Sequence, residues 1–328
     1  MLCILYVNIV SACLGIAAML IERVLPAGAS RRWIWCAVIP LSLFFPGYYS
    51  THHNWSVAPA LEHQSAQSSL VRTLASGPVP ILSPDWWAHS NVYDLAINRI
   101  WLFLSAVIVA LTVANAWRVW RIVRLSRRRA DSRQPTIVDG VRVIITDAVG
   151  PATVGVVRSE VLVPRWVMAL PSAQRQYVLR HEAEHRKSHD GLLLFVASLP
   201  IILAPWNIGL WWYLRRLCLA VEMDCDKRVV GALGDAHAYG ELLLRVAEAG
   251  TRGPRLQPAF LGAGMLERRL TQLVARQPLR RLQRVFVPAL IVGLLALVVW
   301  MPHPIPGRGS HTHSAASSAA ITPTASTR

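Results

Sequence analysis

The chain has 328 residues, 53% of them apolar and only 16% charged, where an average soluble domain carries about 25% charged residues. So much apolar content excludes a disordered chain and argues against a plain soluble enzyme. The formal net charge is +16, and of the 34 basic residues only Lys187 and Lys227 are lysines. That balance implies an anionic partner, either a lipid surface or nucleic acid. Five scattered cysteines with no C-x-x-C support neither a disulfide framework nor a zinc ribbon.

In chain order, four apolar stretches approach the ~20 residues needed to cross a bilayer. They cover residues 2–21, 33–49, 100–116 and 285–301. The first lacks a basic leader and an A-x-A-like cleavage site, so it reads as an uncleaved helix. Arg23, Arg31 and Arg32 crowd the short link after it, whereas the loop 50–99 holds only Arg72 and Arg99. Arg118, Arg121, Arg124, Arg127, Arg128, Arg129 and Arg133 follow the third stretch, and Arg268, Arg269, Arg276, Arg280, Arg281 and Arg284 precede the fourth. The positive-inside rule then places the N-terminus, the loop and the C-terminus outside, and residues 134–284 in the cytoplasm. The expected location is the cell (inner) membrane, multi-pass. The arginines come with no recognition fold or aromatic interleaving, so the lipid bilayer is the expected anionic partner and direct nucleic-acid binding is not.

The expected organisation is a membrane domain at 1–133, a cytoplasmic domain at 134–284, a last membrane helix at 285–302 and a disordered external tail at 303–328. His52, His53 and His63 in the loop, and His311 and His313 in the tail, read as solvated side chains.

The cytoplasmic region opens with β-like runs at 136–138, 141–146, 153–157 and 161–163, the first two joined by the hairpin signal Asp139-Gly140. Pro171-Ser172 then starts a helix running to about residue 188. It contains His181-Glu182-Ala183-Glu184-His185. Residues i and i+4 share a helical face, so His181 and His185 can bind one Zn²⁺, with Glu182 beside them as general base. Chance produces this pattern in roughly one chain in a hundred of this composition.

A third protein ligand is needed. In a second helix, at about 212–230, Glu222 and Asp226 share one face: Glu222 is the expected ligand, and Asp226 the acceptor that orients an imidazole. Two rivals are weaker. His189 sits ~6 Å further along the axis than His185, and Asp224 lies about 200° around the helix from Glu222. Between the two helices, residues 191–213 are interrupted by Pro200 and Pro205. Arms of this length reach ~20 Å against a ~30 Å core, so a re-entrant or interfacial hairpin is expected. Trp206, Trp211, Trp212 and Tyr213 would lie at the headgroup level.

H-E-x-x-H followed by Glu222-Met-Asp-Cys225-Asp226 resembles the integral-membrane zinc peptidases of the BlaR/MecR signal-transducer family. The run from Pro151 to Pro164, Asp190, Tyr239-Gly-Glu-Leu-Leu-Leu and Leu266-Glu-Arg-Arg-Leu270 resemble further parts of that family. Glu184 and Ser188 depart from its usual pattern. So does the lack of any Ser-x-x-Lys, the mark of the family's β-lactam sensor domain. The resemblance implies an α-helical membrane protein with a cytoplasmic α+β, gluzincin-like zinc peptidase domain. It also implies a protein substrate, either a cytoplasmic repressor or the chain itself. Residues 153–157 are the expected strand for pairing with substrate, and His237, Tyr239 or an arginine the expected oxyanion partner. The rival readings are a quality-control peptidase of the HtpX or CAAX-processing kind, and a non-catalytic membrane receptor or scaffold.

Overall fold

The computed structural model describes residues 2–25, 29–52, 91–129, 136–146, 150–250, 264–274 and 281–300. The bulk of the loop 50–99, the tail from 303, and Arg133, Arg276 and Arg280 lie outside the described residues. Helices α1 (Leu2–Val24), α2 (Arg32–His52) and α3 (Asn91–Arg129) lead into strands β1 (Thr136–Val138), β2 (Val141–Thr146), β3 (Ala152–Val154) and β4 (Glu160–Pro164). Then follow α4 (Arg165–Met168), α5 (Ser172–Lys187), α6 (Asp190–Leu203), α7 (Ile208–Leu233), α8 (Ala236–Gly250), α9 (Met265–Val274) and α10 (Arg281–Trp300).

The sheet order is β1-β2-β4-β3. β1 and β2 form the antiparallel hairpin expected at Asp139-Gly140, both of which take positive φ. β2 and β4 run parallel, and β3 returns antiparallel as the open edge. The third β-run is shorter than its composition implies. Gly155 at φ +108 ends the strand after Val154, and Val157 is exposed.

Two apolar cores meet on α7. Leu210, Tyr213, Leu214 and Leu217 pack with Tyr6, Val10 and Leu14 of α1 and Trp35, Val38 and Ile39 of α2. Further along the same helix, Cys225 and Val229 join Val143, Val161 and Val163 of the sheet, Val178 and Leu179 of α5, and Tyr239 and Leu242 of α8. Each fully buried aliphatic side chain is worth about 1.5–3 kcal/mol, so α7 is held firmly at both ends. Its middle, at Glu222, falls at the junction.

Among the described residues, two helices have stretches long and apolar enough to cross a membrane: residues 4–24 of α1 and 96–128 of α3. The apolar stretches in α2, α6 and α10 (Arg32–Phe44, Asp190–Leu203 and Val287–Val298) are shorter. α6 spans ~21 Å at 1.5 Å per residue, less than a bilayer core. Of the four aromatic residues expected at the headgroup level, Tyr213 is turned inward. Tyr213 is fully buried and donates to the backbone carbonyl of Ser11, and Trp212 stands edge-on to the buried Trp35 with ring centroids 5.4 Å apart. The hairpin folds against α1 and α2, which offer its rings more apolar contact than an isolated hairpin has.

Candidate metal centre

α5 begins after Pro171, whose extended backbone (φ −52, ψ 145) cannot continue a helix backward. It ends at Ser188, and His189 then takes the left-handed conformation (φ 52, ψ 35) before α6 starts at Asp190. That reversal carries Asp190 back over the end of α5. Its Oδ2 lies 2.8 Å from Nδ1 of His185. Because the carboxylate only accepts, Nδ1–H is the donor, which leaves Nε2 as the nitrogen of His185 that can serve a metal.

His181 reaches the same state by a different route. The Tyr239 hydroxyl donates to Oδ1 of Asp226 at 2.7 Å, so its oxygen accepts from Nδ1–H of His181 at 2.9 Å. Asp226 itself is 3.5 Å from that nitrogen, and Tyr239 stands between them. The Nε2 atoms of His181 and His185 approach to 3.1 Å. The Glu222 carboxylate completes a triangle, with oxygens 3.5 Å from Nε2 of His181 and 3.7 Å from Nε2 of His185. Bonds of 2.0–2.2 Å at tetrahedral angles put ligand atoms about 3.3–3.6 Å apart, so the three donors fit one Zn²⁺.

A cysteine also borders the pair. His181, His185 and Cys225 offer ligand atoms within 4.8 Å of one another. However, Cys225 Sγ contacts Nδ1 of His181, at 3.4 Å, and also the backbone carbonyl of His181. Nδ1 is the nitrogen turned away from His185, so Glu222 is the better third donor. His189 is exposed at the helix break, and Asp224 points elsewhere, accepting from Ser30 at 2.5 Å.

Glu182 is buried beside the triangle, and Thr153 of β3 holds it. Thr153 Oγ1 is 2.9 Å from a carboxylate oxygen of Glu182 and 2.8 Å from its backbone carbonyl. The edge strand thus abuts the candidate base. Gly191 seats this arrangement: a Cβ there would lie 2.6 Å from the Gly155 carbonyl.

Arg269 of α9 is a site residue that sequence reasoning left among generic basic anchors. Its Nε and an Nη donate to the Asp226 carboxylate at 2.8 and 2.7 Å, and its other Nη lies 3.0 Å from Glu222. Burial works against ionisation of Glu222, but Arg269, then His185 and His181, hold the carboxyl well below the usual range. Burial likewise disfavours the charged form of each imidazole. The Cys225 sulfur and Glu222 outweigh it at His181, raising it to about 10, and Glu222 and Asp190 raise His185 well above its ordinary value. The site is thus built for positive charge at its centre. Two other expectations part company here: Tyr239 faces the far nitrogen of His181, and His237 is exposed and pairs with Glu241 at 3.5 Å. Glu184, the departure inside the motif, is buried and bridges Arg180 at 2.8 Å and Arg228 at 3.0 Å, tying α5 to α7.

A family model described as BlaR1 peptidase M56 matches residues 2–273. The "Regulatory protein BlaR1" of Bacillus licheniformis is 24% identical over 227 residues, which cover 63% of this chain and 38% of the relative. The chain therefore matches well under half the length of that relative. No solved structure matches the chain.

Proposed function

Because the chain belongs to the BlaR1 peptidase M56 family, we propose that it is a membrane-embedded zinc endopeptidase. It would act as a signal-transducing regulator that cleaves a cytoplasmic repressor or itself. The observation that carries the reading is the convergence of His181 Nε2 and His185 Nε2, 3.1 Å apart, on the Glu222 carboxylate, whose two oxygens lie 3.5 Å from the first and 3.7 Å from the second. His181, His185 and Glu222 would hold the ion. When bound, zinc supplies Lewis acidity at the scissile carbonyl and at the attacking water.

Glu182 takes the proton from that water and delivers it to the leaving amine nitrogen. Thr153 ties its carboxylate to the edge strand, and Asp190, Tyr239 and Asp226 fix the rings so that the two Nε2 atoms face each other. An extended peptide added to the free edge of β3 would pass directly over Glu182, and main-chain pairing of this kind suits a protein substrate. The arginine-rich cytoplasmic flanks and four membrane helices of the sequence reading complete the proposal, with the peptidase domain on the cytoplasmic side of the cell membrane.

Glu182→Gln tests the assignment in detergent-purified protein. The amide keeps size and hydrogen bonding but cannot take the proton. Zinc content and melting temperature should match the parent, while cleavage of a co-expressed repressor, or of the chain itself, falls 10²–10⁴-fold. Cleavage at the parent rate would overturn the role of Glu182.

A further inference from the structure

Outside the triangle, a buried polar cluster joins the start of α2 to α6 and α7. Arg32, the first residue of α2, donates through an Nη to Oδ1 of Asp190 at 2.8 Å. The other oxygen of the same carboxylate receives Nδ1–H of His185 at 2.8 Å. Arg32 also donates through Nε to Ser30 at 3.1 Å, and that nitrogen lies 3.5 Å from Asp224 of α7. Ser30 in turn donates to Asp224 at 2.5 Å. The side chains of Arg32, Asp190 and Asp224 are 12%, 3% and 5% exposed. One guanidinium thus spans from the orienting partner of a metal ligand to the helix that carries Glu222.

We propose that Arg32 is a positioning residue for the metal centre. It acts through Asp190 on His185 and makes the start of α2 part of the metal site, beyond its role in anchoring the chain. The inference rests on the metal-centre reading above. Asp190 is a buried carboxylate shared by two donors on opposite oxygens, with Arg228 more distant at 3.9 Å. Without Arg32, one oxygen loses its charged donor. The carboxylate is then free to rotate away from Nδ1 of His185, and the ring loses its fixed orientation. Lysine cannot replace this fully, because only the forked guanidinium reaches Asp190 and the Ser30–Asp224 pair together. A displacement of α2 along its axis breaks the same contact. Movement of the N-terminal hairpin is therefore felt at His185 without any change in α5 itself.

The neighbouring Arg31 provides a matched control. It precedes Arg32 directly and carries the same charge, yet it lies 3.9 Å from Glu22 and not on Asp190. The experiment measures zinc affinity by chelator competition, and the visible spectrum of the cobalt-substituted site, in the full chain in detergent. Arg32→Ala should bind zinc about tenfold more weakly with an altered cobalt spectrum, Arg32→Lys should recover part of the loss, and Arg31→Ala should match the parent. If Arg32→Ala fails to fold, Arg32→Gln retains most of the packing and serves the same comparison. Parent affinity in the Arg32 variants, an equal loss in Arg31→Ala, or no recovery with lysine would overturn the inference while leaving the zinc site standing. A parent protein that binds neither zinc nor cobalt overturns both.

Discussion

The Tyr239 hydroxyl sits between His181 and Asp226, accepting from the imidazole at 2.9 Å while donating to the carboxylate at 2.7 Å. His185 has no such intermediary and meets Asp190 directly. Two imidazoles on one helix, their Nε2 atoms facing each other, are therefore oriented by carboxylates of different reach, one direct and one relayed through a phenol. Burial, followed by the Asp226 charge, pushes the Tyr239 hydroxyl far above its ordinary range, so it stays protonated and keeps this relay in one direction.

Tyr239→Phe keeps the ring packed beside Tyr177 but removes both hydrogen bonds. Zinc affinity should fall about 10–100-fold, and stability by about 1–3 kcal/mol, because a buried N–H and a buried carboxylate each lose a partner. Chelator competition and thermal melting measure the two effects. If the hydroxyl served a substrate oxyanion instead, zinc binding would stay at the parent level and only kcat would drop.

Thr153→Val is nearly isosteric and removes the hydroxyl that contacts the Glu182 carboxylate. Hydrogen bonds to charged groups contribute about 1.5–3 kcal/mol, so a freed carboxylate should cost roughly tenfold or more in kcat. Zinc content should be unchanged, since the Thr153 hydroxyl is spent on the carboxylate and backbone carbonyl of Glu182 and not on His181, His185 or Glu222. Loss of zinc together with activity would place Thr153 in a structural role.

Metal uptake should release protons. Burial alone would lower both imidazoles, yet the Cys225 sulfur and Glu222 raise His181 to about 10, and Glu222 and Asp190 raise His185 well above 6.5. Zinc binds only the neutral ring, so between pH 6.5 and 10 apparent affinity should climb up to about tenfold per pH unit for each proton displaced. The metal-free fold shows the opposite trend. A folded pKa above the unfolded one contributes stability in full below about 6.5, and that contribution is lost as pH rises through about 10. Calorimetric titration in buffers of differing ionisation enthalpy counts the released protons, and a pH-independent affinity would contradict the picture.

What could be read from the sequence was local. The i, i+4 spacing of His181 and His185 and the Glu222–Asp226 pair follow from helical periodicity, and the structure brings His181, His185 and Glu222 together with Asp226 on the far side of His181. The Asp139-Gly140 hairpin was legible for the same reason, since its turn chemistry lies within two residues. The parallel pairing of β2 with β4 was not, because parallel register depends on a crossover that no short pattern records. Tyr239, Arg269 and Arg32 were hidden for a related reason. Each reaches the site from an element tens of residues away, and an arginine near an apolar run looks the same whether it meets lipid or a buried carboxylate. The inward turn of Tyr213 was not legible either, because it depends on the apolar surface of α1 and α2 and on a carbonyl acceptor at Ser11.

The third ligand is decided between Glu222 and Cys225. Both lie on α7, and both approach the histidine pair, but they face different nitrogens of His181. Glu222 meets Nε2, the atom 3.1 Å from its counterpart on His185, whereas Cys225 meets Nδ1, which is already donated to Tyr239. The carboxylate therefore stands on the side where the two Nε2 atoms face each other, and the sulfur on the Nδ1 side of His181. Burial opposes the Cys225 thiolate, although His181 and His185 outweigh it and lower the thiol, so acidity alone does not separate the candidates; position does. Glu222→Ala should lose bound zinc in detergent-purified protein. Cys225→Ser should keep near-parent zinc, and its cobalt-substituted form should show no loss of sulfur-to-metal charge transfer. His189→Ala and Asp224→Ala should also retain zinc, the first because it is exposed at the helix break and the second because it faces Ser30 and Arg32. Full zinc in Glu222→Ala together with its loss in Cys225→Ser would move the ion to the other side of His181, and the roles of Tyr239 and Asp226 would have to be reassigned with it.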